Sequence, residues 1–318
     1  MNEASIYADD LIAGKKFIYK AMDFNLQLMD GYQKGKSHGE TSHIKVLNDI
    51  FSMRPGFLYA FTGWPGSGKS EFLTQISVLQ AYFSNRKIGV YSPESYPMDE
   101  FIDTIIHCYL GKSTDKRFPN VCSADEYGDG IKWVDRNYYF CDWPETPDCT
   151  TLLSAFDYLH KTEGCQIFIV DPFNSLISEG EDRNIALGLK RNLTAFKRFA
   201  AQNRVMVWLV EHPKTPNDSK DYDQIPGPRH MFGGTMWWNK VDVMAAVHRP
   251  NREDKHDSSV IFKTWKIKKQ ELNGHPGEKV IYFDIKNKRY YPDQYCLDHP
   301  MKTMSRQEII EENDSQPF

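Results

Sequence analysis

Short apolar runs alternate with amphipathic segments from about residue 56 onward. The apolar runs have the length of buried strands and lie at residues 56–62, 87–92, 137–142, 166–171 and 204–210. The segments between several of them space their apolar residues as helices do, and these are residues 71–79, 98–110, 151–162 and 182–203. Uniformly apolar strands separated by helices are typical of a parallel sheet that is covered on both faces. The pattern therefore predicts an α/β fold with a mostly parallel central sheet and helices on both faces.

The pattern changes after residue 240. Three strand-like runs follow one another with short connections, at residues 241–247, 259–269 and 279–291. The last two are joined through a Gly- and Pro-containing turn at 273–277, which predicts an antiparallel extension of the sheet. The segment 213–240 before them has no clear period, and we interpret it as a long irregular loop.

The ends of the chain differ from its middle. Residues 1–44 carry only weakly amphipathic stretches around a polar loop, and we expect them to form an arm or linker without its own core. Residues 45–295 form the predicted main domain, and the charged residues 296–318 form the predicted tail.

Composition narrows the class of protein. The chain has 318 residues, 40% of them apolar, and a net charge of −4 from 39 basic and 43 acidic residues. This balance excludes a globally basic nucleic-acid binder but permits a local basic patch. There is no apolar run of about 18 residues and no signal-peptide core, so we expect no membrane span and a cytoplasmic location. The six cysteines form no C-x-x-C pair, and we expect reduced thiols rather than a metal site.

Residues 63–70 read G-W-P-G-S-G-K-S, a complete phosphate-binding loop of the form G-x-x-x-x-G-K-[ST]. An apolar strand precedes it and a helical pattern follows, so that the helix N-terminus adds its partial positive charge to the site. Backbone N–H groups of such a loop surround phosphates, the lysine contacts the β- and γ-phosphates, and the last hydroxyl is a ligand for Mg²⁺. The predicted nucleotide-binding residues here are Gly63, Pro65, Gly66, Ser67, Gly68, Lys69 and Ser70.

Three polar residues follow buried strands at the edge of the sheet where ligands of open α/β folds bind. Asp171 ends the run 166–171 and is the expected second metal ligand beside Ser70; the alternative is a helix N-cap. Glu94 follows the run 87–92 and is a candidate base for the attacking water, or else a solvated loop residue. His212 follows the run 204–210 and is a candidate γ-phosphate sensor, although isolated histidines are usually structural.

The segment 213–240 combines cations with a flexible Gly-Gly pair. Such a combination suits contacts to a phosphodiester backbone, whereas the alternative is an ordinary surface loop. The candidate DNA-binding residues are Lys214, Lys220, Arg229, Gly233, Gly234 and Lys240.

The order of these motifs resembles the RecA-like motor of DnaB-type (superfamily 4) replicative helicases, most of all the phage-type and Twinkle-like members. The phosphate loop, Ser-Pro-Glu after the second strand, hydrophobic-Asp, strand-His, Gly-Gly segment and basic strand carry the resemblance over residues 45–292. It implies ATP and Mg²⁺ as cofactors, Glu94 as the catalytic glutamate, Asp171 as the Walker B residue, and His212 as the polar sensor. It also places Lys214 and the Gly233-Gly234 pair where the family contacts single-stranded DNA.

The resemblance implies further roles at the end of the domain. Arg249 and either Tyr290 or Tyr291 fall where the family sandwiches the adenine. Lys266 and Lys268 fall on the strand that normally offers a lysine and an arginine finger to the nucleotide of the neighbouring subunit. A lysine at the finger position lacks the planar fork of arginine.

The expected assembly is therefore a homo-hexameric ring on single-stranded DNA, with a primase or loader supplied by a separate protein. If the protein is a phage-type member, the expected cytoplasmic location is the cytoplasm of an infected cell. The leading hypothesis is an ATP-dependent helicase that acts in DNA replication. The alternatives are a RecA-like, DNA-stimulated ATPase without processive unwinding, such as a recombination mediator or loader, and a nucleotide-dependent regulatory protein without a DNA role.

Overall fold

The computed structural model describes residues 19–176, 185–215 and 222–292. The chain divides at His38 and Gly39 into two compact units. In the first, a 3₁₀ turn at Ala21–Phe24 leads into helix α1 (Asn25–Lys34), and none of the residues in these two elements is buried. The second unit begins at Gly39, and Ile44, Leu47 and Phe51 belong to its buried core.

The second unit contains a nine-stranded sheet with the order β3-β2-β4-β5-β1-β6-β7-β8-β9. The strands are β1 (Leu58–Thr62), β2 (Lys87–Tyr91), β3 (Tyr138–Cys141), β4 (Cys165–Val170), β5 (Met206–Val210), β6 (Val243–His248), β7 (Ser259–Ile267), β8 (Gly277–Asp284) and β9 (Arg289–Tyr291). Neighbouring strands pair in parallel from β3 through β2, β4, β5 and β1 to β6. From β6 through β7 and β8 to β9, they pair antiparallel. The predicted α/β class and the antiparallel extension are confirmed, although the run 279–291 forms two strands, β8 and β9, rather than one.

The helices lie between the strands in the chain. They are α2 (Lys69–Phe83), α3 (Met98–Leu110), α4 (Ala124–Asn137), α5 (Cys149–Glu163), α6 (Ile185–Asn203), α7 (Gly234–Lys240) and the single turn α8 (Gln270–Asn273). Helix α4 was not predicted, because it contains two glycines and few apolar residues. Its signal was the capping box, in which the Ser123 hydroxyl accepts from Glu126 N–H while the Glu126 carboxylate accepts from Ser123 N–H.

Two apolar cores cover the two faces of the sheet. On one face, Phe72 and Ile76 of α2 and Ile105 of α3 are buried. On the other face, Leu193 of α6 and Trp237 of α7 are buried. Because both faces are covered, the apolar strands β1, β4 and β5 need no polar side.

The segment 213–240 is more regular than predicted. It contains a 3₁₀ turn at Pro228–His230 and helix α7, and residues 216–221 lie outside the described part of the chain. Trp237 anchors α7, because its ring is fully buried against Phe173 and its indole N–H donates to the Phe232 carbonyl at 3.1 Å. The Gly-Gly pair that begins this helix is a poor helix former, which explains why the sequence pattern indicated a loop.

Within the described residues, no helix is long and apolar enough to cross a membrane, and no cluster of side chains is arranged to hold a metal ion through His, Cys, Asp and Glu alone. Five of the cysteines are described, and all five are free thiols. Cys296 and the predicted tail 296–318 lie outside the described residues.

Candidate nucleotide site

The phosphate loop connects β1 to α2, and its backbone needs glycine at defined positions. Gly66 and Gly68 have φ values of 75° and 83°, in the left-handed region that favours glycine. A Cβ atom on Gly63 would lie 2.4 Å from the Val247 carbonyl oxygen of β6. The glycines therefore allow the loop to curl tightly against the sheet at the N-terminus of α2.

Lys69 extends back across this loop. Its ammonium donates to the carbonyl oxygens of Gly63 at 2.8 Å and Trp64 at 3.2 Å, and its side chain is buried. Burial lowers the pKa of Lys69, while the nearby carboxylates of Asp171 and Glu94 oppose that shift. The cation is thus held inside the curve of the loop, where a phosphate oxygen would be its strongest acceptor.

Ser70 and Asp171 meet at the same edge of the sheet. The Ser70 hydroxyl donates to Asp171 Oδ2 at 3.1 Å, and Asp171 directly follows β4. Burial raises the pKa of Asp171, while the hydrogen bond from Ser70 and the electrostatic interactions with His212 and Lys69 lower it. Mg²⁺ prefers such oxygen ligands and keeps most of its waters, so one carboxylate and one hydroxyl beside a triphosphate fit this ion. The metal role of the two residues stays a prediction.

Glu94 and His212 also lie together, although 118 positions separate them in the chain. His212 Nε2 is 3.3 Å from Glu94 Oε2, and both side chains remain partly exposed. Glu94 follows β2 and His212 follows β5, with β4 and Asp171 between them in the sheet. The three residues therefore form one cluster at the carboxyl edge of the strands, as expected from the sequence.

Glu211 was missed by the sequence interpretation. Its side chain is 5% exposed, burial raises its pKa to about 8, and its Oε2 has no hydrogen-bond partner among the described residues. The hydroxyls of Thr62 and Ser67 are likewise buried without a partner in that part of the chain. The signal in the sequence that could have identified Glu211 is its position directly after an apolar strand.

The residues expected to hold the adenine are placed differently. The Tyr290 ring packs between Phe72 and Phe283, and its hydroxyl donates to the Gly68 carbonyl at 2.9 Å. Tyr290 and Tyr291 are 2% and 1% exposed, so neither ring presents a free face to a base in this structure. Tyr290 instead supports the phosphate loop from the core side.

Arg249 is engaged within its own loop. Its Nη2 donates to the Asp254 and Asp257 carbonyls at 3.0 and 3.1 Å. Stacking on adenine would require rearrangement at Arg249 as well as at the tyrosines, so this part of the resemblance stays a prediction.

Lys266 and Lys268 lie at the opposite edge of the sheet from the phosphate loop. Met244 near the start of β6 pairs with Lys266, whereas Ala246 pairs with Thr62, the last residue before the loop. Lys268 forms an ion pair with Asp242 at 3.1 Å, and the Lys266 ammonium donates to the Trp238 carbonyl. Burial, followed by the charge of Lys268, lowers the pKa of Lys266 to about 8. Neither lysine is placed to act on the nucleotide of its own subunit.

The candidate DNA-contact residues are brought together only in part. Lys214 N–H donates to the His230 carbonyl at 2.7 Å, beside a bridge between Pro213 and Met231. A Cβ on Gly234 would lie 1.8 Å from the Pro228 carbonyl oxygen, and Gly233 has a φ of 64°. Lys214, Arg229, Gly233 and Gly234 therefore share one region. Lys240 lies at the far end of α7, about 9 Å along its axis, and Lys220 lies outside the described residues.

Two curated proteins are similar in sequence, whereas no family model matches the chain. The chain is 24% identical over 257 residues to the Twinkle homolog protein, chloroplastic/mitochondrial, of Arabidopsis thaliana, which covers 79% of this chain and 36% of that protein. It is 22% identical over 184 residues to the DNA helicase/primase of Enterobacteria phage T3, covering 56% and 32% respectively. The chain thus spans about a third of the length of the curated relatives that it matches.

Solved structures show the same architecture. A solved ATPase domain matches with a TM-score of 0.72 at 12% identity, over 87% of this chain and all of that one. A DnaB-like replicative helicase, solved in a study of its interactions with primase, matches with a TM-score of 0.67 at 13% identity, over 91% and 71%. The chain has the RecA-like fold of the ATPase domains of DnaB-like helicases, and the predicted resemblance is confirmed.

Proposed function

We propose that this protein is an ATP-driven motor that moves along single-stranded DNA and separates duplex DNA during replication. The observation that supports it most is the cluster at the carboxyl edge of the sheet, where Lys69, the Ser70–Asp171 pair and the Glu94–His212 pair converge. The names of the relatives, a Twinkle homolog and a phage helicase/primase, agree with this function.

Each member of the cluster has a distinct task in nucleotide binding. Backbone N–H groups of the phosphate loop and the Lys69 ammonium bind the phosphates of ATP. The Ser70 hydroxyl and the Asp171 carboxylate would hold Mg²⁺, which would neutralise charge on the terminal phosphates. Tyr290 fixes the Gly68 peptide, so that the loop keeps its curvature.

Hydrolysis requires a group that orients water and takes up its proton. Glu94 is partly exposed and follows the strand beside Asp171, which suits a base facing the terminal phosphate. Its contact with His212 connects the base to the segment that begins at Lys214. Lys266 and Lys268 lie at the opposite edge of the sheet from their own phosphate loop. We therefore propose that the second cation at each nucleotide is a lysine of a neighbouring copy.

A ring of identical subunits follows from this arrangement, and we propose a homo-hexamer. The described residues of the N-terminal unit fit an arm that covers a neighbouring copy, because Met22, Leu26 and Tyr32 are 75%, 81% and 85% exposed. Single-stranded DNA would contact Lys214, Arg229 and the Gly233-Gly234 pair. The proposed location is the cytoplasm, including that of a phage-infected cell. A separate primase or loader is the proposed partner.

Strand displacement on a forked DNA tests the proposal. The wild type should release the labelled strand only with ATP and Mg²⁺, Lys69→Ala should not, and the exposed Lys132→Ala should behave as wild type. Assembly is confirmed beforehand by mass measurement with nucleotide and single-stranded DNA. Hydrolysis that DNA stimulates without strand separation would instead identify a recombination mediator or loader. An assembled oligomer with neither activity would refute both.

A further inference from the structure

Trp64 occupies the second position of the phosphate loop, yet its side chain contacts a different part of the molecule. Its indole N–H donates to the Gln224 carbonyl at 2.8 Å. Its ring packs edge-on against Tyr222 at 5.0 Å and against His230 at 5.6 Å. The residue is 2% exposed. We call residues 222–234, which contain these partners and the Gly-Gly pair, the contact segment.

The backbone of Trp64 is tied to the nucleotide-binding lysine. Its carbonyl oxygen accepts from Lys69 Nζ at 3.2 Å and from Ser67 N–H at 3.1 Å. Phosphate oxygens carry more charge than a peptide carbonyl and attract the same ammonium more strongly. A bound triphosphate therefore competes directly with the Trp64 carbonyl for Lys69.

His230 connects Trp64 to the proposed DNA contacts. Its Nδ1 accepts from Gly227 N–H at 2.9 Å, and its carbonyl accepts from Lys214 N–H at 2.7 Å. The Pro228 carbonyl in the same turn lies so close to Gly234 that no side chain fits there. A shift of the Trp64 ring would therefore displace His230 and the turn that contains Pro228, and with them Lys214 and Gly234.

We infer that Trp64 is a positioning residue that couples occupancy of the phosphate loop to the conformation of the contact segment, and so to its affinity for single-stranded DNA. This inference rests on the proposed function. The coupling through Trp64 is a second connection between the nucleotide site and the proposed DNA contacts, beside the Glu94–His212 contact. It passes through the loop that binds the phosphates. Trp64 itself takes no part in the chemistry.

The chain offers a matched control in Trp265 of β7. Its indole N–H donates to the Pro226 carbonyl at 2.9 Å, and its ring packs against Gly227. Two tryptophans thus hold the same segment by the same kind of bond, one from the phosphate loop and one from a strand outside it. Replacing either by phenylalanine keeps an aromatic ring and removes the N–H donor.

The test measures the affinity for a fluorescent oligothymidylate by anisotropy, with and without a non-hydrolysable ATP analogue and Mg²⁺. The ratio of the two dissociation constants is the coupling factor, which is typically about 5- to 150-fold in coupled proteins. Trp64→Phe should reduce this factor by about two- to tenfold, the equivalent of one hydrogen bond. Trp64→Leu should bring it close to one. Trp265→Phe should leave both this factor and the affinity for nucleotide alone at their wild-type values.

A spectroscopic readout follows the residue itself. In protein labelled with fluorotryptophan, the resonance that is lost in Trp64→Phe identifies Trp64 among the seven tryptophans. Because coupling is reciprocal, DNA alone should shift this resonance, in the wild type and in Trp265→Phe.

The outcomes separate the two proposals. If the wild type binds both ligands but Trp64→Phe and Trp64→Leu keep its coupling factor, or if the wild type shows no coupling, the role of Trp64 is refuted and the motor function stands. If the wild type binds neither nucleotide nor DNA, the proposed function fails, and the coupling fails with it. Trp64→Phe decides the question should Trp64→Leu not fold.

Discussion

At the scale of single residues, three carboxyl groups at the carboxyl edge of the sheet differ in their surroundings. Asp171 is held by Ser70 and lies near Lys69, so its charged form has partners despite burial. Glu94 remains 62% exposed beside His212. Glu211 is buried, and among the described residues its Oε2 has no partner. These surroundings agree with the proposed roles of Asp171 in metal binding and of Glu94 in proton transfer, whereas burial favours the neutral form of Glu211.

Glu94→Gln keeps the size of the side chain and removes the base. We expect the turnover number for ATP hydrolysis to fall by about 10²- to 10⁴-fold, because general-base catalysis is lost. The affinity for nucleotide should change little, since Glu94 is not part of the phosphate loop. Steady-state hydrolysis and equilibrium binding of a fluorescent ATP analogue measure the two effects.

The exposed loop residue Glu145 provides the control for that experiment, and Glu145→Gln should retain wild-type turnover. A Glu94→Gln variant that hydrolyses ATP within about threefold of the wild type would show that another group activates the water.

Glu211 predicts a pH dependence of stability. Its pKa is raised from 4.5 to about 8 in the folded protein, so the native state binds more protons than the unfolded chain between these values. Its contribution to stability is fully present below the unfolded value and is lost as the pH rises through the folded one. We expect Glu211→Gln, which is neutral at every pH, to raise the free energy of unfolding at about pH 8 by about 4 kcal/mol.

Thermal unfolding from about pH 5 to pH 8 tests this expectation, and the melting temperature of Glu211→Gln should decline less across the range than that of the wild type. Glu145→Gln should follow the wild type. Superimposable profiles for Glu211→Gln and wild type would mean that Glu211 is charged or solvated in the native state.

At the scale of elements, Asp242 joins three of them. Its Oδ2 accepts from Leu58 N–H at the start of β1, at 3.0 Å. Its Oδ1 forms ion pairs with Lys197 of α6 and with Lys268 at the end of β7. Asp242 is 4% exposed, so these partners take the place of water around its carboxylate. One carboxylate thus positions the strand that leads into the phosphate loop and the strand that carries the proposed trans-acting lysines.

Asp242→Ala should lower the free energy of unfolding by about 3 kcal/mol, because it leaves two cations and one backbone N–H without their acceptor. Urea denaturation measures the loss. Asp242→Asn keeps an acceptor for Leu58 N–H and should fall between Asp242→Ala and the wild type. The exposed Asp135→Ala on α4 should stay within about 0.5 kcal/mol of the wild type. A loss below about 1 kcal/mol for Asp242→Ala would show that the elements are held by packing alone.

At the scale of the whole molecule, the two edges of the sheet carry different parts of the proposed site. The phosphate loop, Asp171, Glu94 and His212 lie at the carboxyl edge, while Lys266 and Lys268 lie at the amino edge of the same strands. Under this proposal, a complete site requires the carboxyl edge of one copy and the amino edge of the next. This head-to-tail contact closes into a ring when the rotation between copies allows it.

Mixed rings test this arrangement. Lys69→Ala and Lys268→Ala should each hydrolyse little ATP, since one lacks the phosphate-binding lysine and the other the cation for its neighbour. Mixing the two in equal amounts before assembly should restore activity to about a quarter of the wild type, the fraction of sites with both lysines in a random ring. The mixture would stay inactive if Lys268 acted within its own subunit. Lys268→Arg keeps the cation and serves as the active control.

The parts of the fold that the sequence predicted are those with local signals. Strand β5 is apolar from end to end and β1 and β4 are apolar at all but one position each, and the phosphate loop is defined by eight consecutive residues. Helix α7 and the turn between β8 and β9 were missed, because a Gly-Gly pair and a short connection carry little periodic signal. Burial of Trp237 overrides the weak propensity of α7.

By itself, the amino-acid sequence determined the α/β class, the phosphate loop and the identity of the polar residues that follow each strand, since these depend on neighbours along the chain. Only the tertiary structure decided that Glu94 meets His212, that Tyr290 is buried behind Gly68 and that Trp64 holds the contact segment. The physical reason is that strand order brings residues together irrespective of their separation in sequence. Close packing then decides whether an aromatic side chain faces a ligand or the core.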